Sequence, residues 1–194
     1  MAKKIAEKKV RCPWVPAGHI LYEKYHDTEW GRAVKNDSVF FEFLVLESAQ
    51  AGLSWETILK RREGYRSAFA KFDAKRIARF GARDIARLMA DAGIIRNRLK
   101  IESAISNAHI FLMLQQEFGS FSKYAWGFVG GKTEFSPNGK TRVTSPSAEA
   151  LAADLKRRGF KFFGPVIAYA FMQATGLIDD HARNCFRYQK KSHP

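Results

Sequence analysis

Apolar residues recur three and four positions apart along most of the chain, the spacing of helices that pack one face inward. Phe40, Phe41, Leu44 and Val45 predict a helix from about Asp37, its capping residue, to Ala51, with Gly52 ending it. Ser54 caps a second helix, from Trp55 to about Arg62. Short helical segments follow near Tyr65–Phe72, after Asp73, and over Arg83–Ala92, where Gly93 breaks the pattern. A long helix from about Arg96 to Phe118 carries Ile101, Ala104, Ile105, Ala108, Phe111 and Leu112 on one face and stops at Gly119. Another stretch covers Ser122–Val129. Ser145 followed by Pro146, a cap with proline at the first helical position, opens a helix reaching Arg158. Gly164 and Pro165 open one that ends at Gly176. The segments Cys12–Lys35 and Gly130–Thr144 read as irregular, and only RGFKFFG (158–164) competes as a strand. No repeat at solenoid spacing is present. The class is all-α.

Composition narrows the partner. At 194 residues, 46% hydrophobic and 13% aromatic, the chain can bury a core as one domain. We read residues 1–11 as a flexible basic tail and 12–190 as a single domain, with room for two helical lobes flanking a pocket. Lys and Arg number 33 against 19 Asp and Glu, a net charge of +14, which draws polyanions and nucleic acid first among them. No apolar run approaches the roughly 18–20 residues of a membrane span, and the N-terminus lacks the apolar centre of a secretory signal. Two cysteines make no disulfide framework, so an intracellular chain is expected.

Those two cysteines, Cys12 and Cys185, each have a histidine near in sequence: His26 and His181. The second pair is spaced i,i+4, which on a helix puts both side chains on one face. Two thiolates and two imidazoles suit tetrahedral Zn²⁺, and four protein ligands leave no open position, so the site would be structural. The spacing alone leaves a plainer reading open, reduced cysteines and solvated histidines, since His19, His109 and His193 are to spare.

Trp14, Tyr22, Tyr25, Trp30 and Trp55 concentrate aromatic surface in the first 55 residues. Aromatic faces stack on bases and attract a cationic ring more than a neutral one. Glu47 sits among them on an apolar helix, beside Phe43 and Leu44, where a carboxylate is unusual. It would accept from an exocyclic amine or a cationic heterocycle; equally, the aromatics are core and Glu47 is a helix-edge residue. Leu88–Lys100 has the form of a helix-hairpin-helix. In it Gly93, Ile94 and Ile95 turn the chain, and Arg96, Arg98 and Lys100 add charge beside helix amides able to bind phosphate.

Six blocks then occur in order: Cys12-Pro13-Trp14, YHDTEWG (25–31), LESAQAGLSW (46–55), AGIIR (92–96), KRRGFKF (156–162), and Asp180-His181 with Cys185. Over about residues 11–188 the chain closely resembles the 3-methyladenine DNA glycosylase I family, the constitutive alkylation-repair glycosylases of bacteria. The resemblance implies a helix-hairpin-helix glycosylase fold and a zinc clip on Cys12, His26, His181 and Cys185. It implies that Glu47 accepts from the flipped base, that Trp55 stacks on it, and that Trp14, Tyr22, Tyr25 and Trp30 line the site. Gly52 and Leu53 fall where the family probes the gap left in the duplex. Glycosylases of the wider superfamily carry a hydrolytic aspartate past the hairpin. Here no Asp lies between Asp91 and Asp154, which points to a monofunctional enzyme that catalyses mainly by binding. A monomer acting on alkylated duplex DNA in the cytoplasm is the resulting expectation. The competing readings are a non-enzymatic zinc-stapled DNA-binding module and an RNA-binding protein.

Overall fold

A computed structural model describes residues 9–136 and 142–189. The first eight residues of the basic tail, the middle of the 130–144 loop, residue 190 and His193 lie outside them. Among the described residues the architecture is helical: α1 (Ile20–Thr28), α2 (Asp37–Gln50), α3 (Trp55–Ala68), α4 (Ala74–Ile77), α5 (Ala82–Ala90), α6 (Arg98–Phe118), α7 (Phe121–Gly127), α8 (Pro146–Arg157) and α9 (Pro165–Ala174). A two-residue parallel pair, β1 (Glu134–Phe135) with β2 (Ile178–Asp179), joins the segment before α8 to the chain after α9. No helix among the described residues is long and apolar enough to cross a membrane.

The centre is α2. Every residue from Phe40 to Ala49 is buried, because α3, α6, α7 and α9 all pack against this one helix. A helix surrounded on all sides has no polar face to display, so its polar residues must find partners or go without. Glu42 finds two: Arg62 Nε donates to it at 2.7 Å and Arg66 Nη2 at 2.8 Å.

Several boundaries differ from the pattern reading. Asn36 caps α2, accepting from the Ser38 amide at 2.8 Å. Asp37 instead reaches across to the start of α7, where its two oxygens accept from the amides of Phe121 and Ser122. The predicted short segments near Tyr65 continue α3 in one piece to Ala68. The irregular reading of Cys12–Lys35 missed α1, whose aromatic residues lack a clean apolar stripe. RGFKFFG is a loop between α8 and α9, with Asn107 accepting from the Lys161 amide at 2.9 Å and donating to its carbonyl at 3.0 Å. Residues 9–11, read as tail, are pinned: Arg11 forms a fork with Asp27 at 2.8 and 2.9 Å, and the Val10 carbonyl accepts from the Phe186 amide.

The turn between α5 and α6 is longer than its apolar letters suggested. It runs from Asp91 to Asn97, because Ile94 is drawn into the core and Asn97 caps α6. Gly93 packs on Gly64 of α3, where a Cβ would lie 2.3 Å from the Gly93 carbonyl oxygen. No side chain fits between these two backbones.

Candidate active site and metal cluster

Helix α1 with the residues flanking it, the C-terminal half of α2, the start of α3 and one face of α9 enclose an open cleft of about 440 Å³ lined by Trp14, Tyr22, Tyr25, Trp30, Glu47, Gln50, Ser54, Trp55, Ala170 and Gln173. The fold thus brings together the five aromatics and the carboxylate singled out from sequence. Trp14 meets Tyr22, Tyr25 and Trp30 at centroid separations of 5.9, 6.3 and 5.0 Å, and Tyr25 meets Trp55 at 5.4 Å. At these edge-on and tilted angles the cleft rings do not stack on one another, and Trp30 stacks instead on His26. Tyr22 is fixed by the Glu56 amide, which donates to its hydroxyl at 3.1 Å.

Glu47 is 4% exposed and makes no hydrogen bond or ion pair with any described residue. Burial pushes its carboxyl up to about 8. Tyr25, fully enclosed beside it, is raised by the same burial and by the Glu47 charge. One helix therefore carries a paired carboxylate, Glu42, and an unpaired one that faces the cleft. Unpaired buried acceptors of this kind mark ligand sites more than stabilising ones.

Directly behind Trp30 lies the second site. Cys12, His26, His181 and Cys185 are all buried, and their ligand atoms lie within 4.8 Å of one another. Cys12 Sγ is 3.4 Å from His181 Nδ1, and Cys185 Sγ is 3.4 Å from His26 Nε2 and 3.6 Å from His181 Nδ1. A tetrahedron with ordinary Zn–S and Zn–N bonds has S···N edges of about 3.6 Å. The amides of Ala182 and Arg187 donate to the two sulfurs at 3.4 Å, as suits thiolates. His26 Nδ1 meets Asp27 at 2.9 Å, and Asp27 is held by Arg11. That outer carboxylate orients the ring so that Nε2 points inward. Burial lowers both histidines, His181 to about 4, so they stand neutral and ready to ligate. It raises Cys12 to about 12, a thiol that only a cation would ionise at neutral pH. The donors fit a metal ion.

The i,i+4 argument for His181 and Cys185 does not hold as made. That segment is a turn, closed by Cys185 N to Ala182 O at 2.8 Å, after β2 has ended. Proximity in sequence brought the pair together without a helix. Gly31 has φ +74°, and a Cβ there would lie 2.8 Å from His181 Nε2, so only glycine lets the chain pass this ring.

The predicted nucleic-acid residues lie in the α2–α3 turn, the α5–α6 turn and the first turn of α6. Leu53 is 39% exposed at the tip of the α2–α3 turn, after Gly52, with its amide donating to the Gln50 carbonyl at 2.6 Å. Arg96 is exposed. The amides of Gly93, Ile94 and Ile95 already have acceptors inside the protein: Asp91 Oδ1, the Asp91 carbonyl and the Tyr65 hydroxyl. Lys100 is likewise engaged, its Nζ donating to the carbonyls of Ala49 and Ala51 at 2.9 and 2.6 Å. It closes the C-terminus of α2, a place that favours a cation.

The comparisons agree with this geometry. A family model described as methyladenine glycosylase matches residues 14–188. The chain belongs to that family. By that membership it is a base-excision glycosylase. DNA-3-methyladenine glycosylase 1 of Escherichia coli is 42% identical over 92% of this chain and 96% of its own length. The Haemophilus influenzae DNA-3-methyladenine glycosylase is 44% identical over 90% and 96%. Among solved structures, a crystal structure of 3-methyladenine DNA glycosylase I superposes with a TM-score of 0.88 at 44% identity, covering 93% of this chain and all of that one. The Staphylococcus aureus enzyme gives 0.84 at 39%, over 88% and 93%.

Within this glycosylase, sequence reasoning missed Gln50, Ser54, Ala170 and Gln173. Gln50 lies one helical turn past Glu47 and could have been found by that spacing. Ala170 and Gln173 reach the cleft only because α9 packs on α2, which no local pattern announces.

Proposed function

We propose that this enzyme hydrolyses the N-glycosidic bond of 3-methyladenine in alkylated duplex DNA, as a monofunctional glycosylase. The observation that carries the reading is Glu47, a buried carboxyl without a partner in a cleft walled by aromatic rings. A further solved relative, 39% identical, is a variant of 3-methyladenine DNA glycosylase I in complex with 3-methyladenine.

The damaged nucleotide is turned out of the duplex, at less cost than a well-paired one. Trp55 stacks on the base, with Trp14, Tyr22, Tyr25 and Trp30 around it. Methylation at N3 leaves the ring positively charged while it is attached to the sugar. Neutral adenine meets a Glu47 that is protonated near neutral pH; a cationic base favours its carboxylate, so charge selects the lesion. The glycosidic bond breaks with its electron pair going to the departing base, which leaves neutral. Water adds to the sugar carbon and releases a proton to solvent. Charge selects the substrate, and catalysis comes from contacts that strengthen as the bond breaks, with the Glu47 carboxylate answering the positive charge that develops on the sugar.

On the DNA side, Leu53 with Gly52 fills the gap. Arg96, exposed beside the Gly93–Ile94–Ile95 turn, meets the phosphate backbone, the turn itself serving to place it, while Lys100 contributes through α2. Cys12, His26, His181 and Cys185 hold one structural Zn²⁺, which closes the fold and takes no part in chemistry. The enzyme works as a monomeric single domain in the cytoplasm. Chromatography of bases released from methylated duplex DNA tests the reading: 3-methyladenine is expected free and 7-methylguanine retained. No release, with DNA still bound, would return the protein to a damage-binding module.

A further inference from the structure

We propose that Gln173 is a specificity-determining residue: its side-chain oxygen, turned to the cleft by Asp180, accepts from the exocyclic amine of an adenine-type base and rejects a base with oxygen there. The proposal rests on the base-excision reading above and deepens it.

Gln173 lies on the last turn of α9 and lines the cleft with Glu47. An amide can present either end, but here the choice is forced. Its Nε2 donates to Asp180 Oδ2 at 2.8 Å, and a carboxylate can only accept. Asp180 is 2% exposed and cannot turn aside, since the same oxygen accepts from the Tyr169 hydroxyl at 2.9 Å and the Arg142 amide at 3.4 Å. With the nitrogen committed, Oε1 is the polar atom left over. It has no partner among the described residues and is not among the sealed, unpartnered atoms, so it opens to the cleft.

The cleft thus offers two acceptors, the Glu47 carboxylate and Gln173 Oε1. Gln50, also lining it, has no such anchor and can present either end. Two acceptors match an amine at C6, which has two hydrogens to give. A guanine-type base carries a carbonyl oxygen at C6, and oxygen against oxygen leaves both desolvated and unpaired. Sites built to bond an N–H reject the analogue lacking it far more strongly than sites that merely limit size.

Methylated duplex DNA carrying both 3-methyladenine and 3-methylguanine is the probe, with released bases separated by chromatography. The native enzyme is expected to favour 3-methyladenine. In Gln173→Leu, 3-methyladenine release falls by roughly tenfold, the loss of one hydrogen bond, while 3-methylguanine release holds or rises. A selectivity ratio unchanged in a folded Gln173→Leu overturns the proposal. If that variant does not melt cooperatively, Gln173→Met, closer in shape and equally without an acceptor oxygen, decides. The ratio then shifts toward 3-methylguanine, and an unshifted ratio overturns the assignment. A native enzyme that releases neither base refutes the base-excision reading itself, a separate outcome.

Discussion

The Cys12–His26–His181–Cys185 cluster and the Glu47 cleft share Trp30 as a wall, its ring centroid 4.6 Å from that of His181 on one side and 5.0 Å from that of Trp14 on the other. Both bury groups that water would stabilise. In the cluster the groups answer one another: sulfur faces ring nitrogen, Asp27 backs His26, and Arg11 backs Asp27. In the cleft Glu47 is answered by nothing, though on the same helix Glu42 has two arginines. A closed donor set binds once and contributes stability. An open one stays unsatisfied until a ligand arrives, and the rest of the fold carries the cost.

The largest expected effect lies on the closed side. Cys185→Ser, or prolonged chelation, should lower the melting temperature by on the order of 10 °C or more, with metal content followed by elemental analysis. A cluster variant that melts like the native protein would erase the contrast. On the open side, Glu47→Gln should cut excision by about 10²–10³-fold, with the metal retained. Full activity in that variant would sink the assignment of Glu47.

Stability should move the opposite way, and pH exposes it. Glu47 is raised to about 8 when folded, against an ordinary carboxyl near 4.5. The folded state therefore holds this proton more tightly, and stability declines as pH rises from about 5 through 8. Relative to the native enzyme, Glu47→Gln should melt higher at pH 9 than at pH 6; no pH-dependent gap would mean the carboxyl is solvated. Glu42→Ala serves as the paired control, losing roughly 1–3 kcal/mol in denaturant unfolding because the half-buried Arg62 then keeps Glu29 alone.

Smaller effects sharpen the margins. Asp27→Asn should weaken metal affinity about 10–100-fold in competition with a chelating dye, by loosening the His26 ring. For duplex binding, Arg96→Ala should reduce the dependence of log K on log salt by about one, whereas Lys100→Met should leave it unchanged. A slope change at Lys100 would place it on a phosphate rather than on the carbonyls of Ala49 and Ala51.

How far the sequence alone reached follows from the range of the forces involved. The core helices were legible because Phe40–Val45 and Ile101–Leu112 repeat at helical spacing. The cleft aromatics and Glu47 were legible because a carboxylate inside such a run is rare. The pinning of Lys9–Arg11, the engaged amides of the Asp91–Asn97 turn, the Gly64–Gly93 contact and the place of Gln173 all depend on residues distant in sequence. Local periodicity holds no record of them. Lys100 was read as a phosphate contact from its charge, and only the packing of α6 on α2 reveals what that charge meets.

Cys12 and Cys185 also impose an order on synthesis. Trp14 and Trp30, walls of the cleft, lean on His26 and His181, and His181 arrives almost at the end of the described chain. A ribosome can finish α1, α2 and α3 long before the segment that steadies those indoles has emerged. Prematurely terminated products lacking that segment carry Glu47 but not the completed pocket. The walls of the cleft thus gain their backing only once the chain has passed His181.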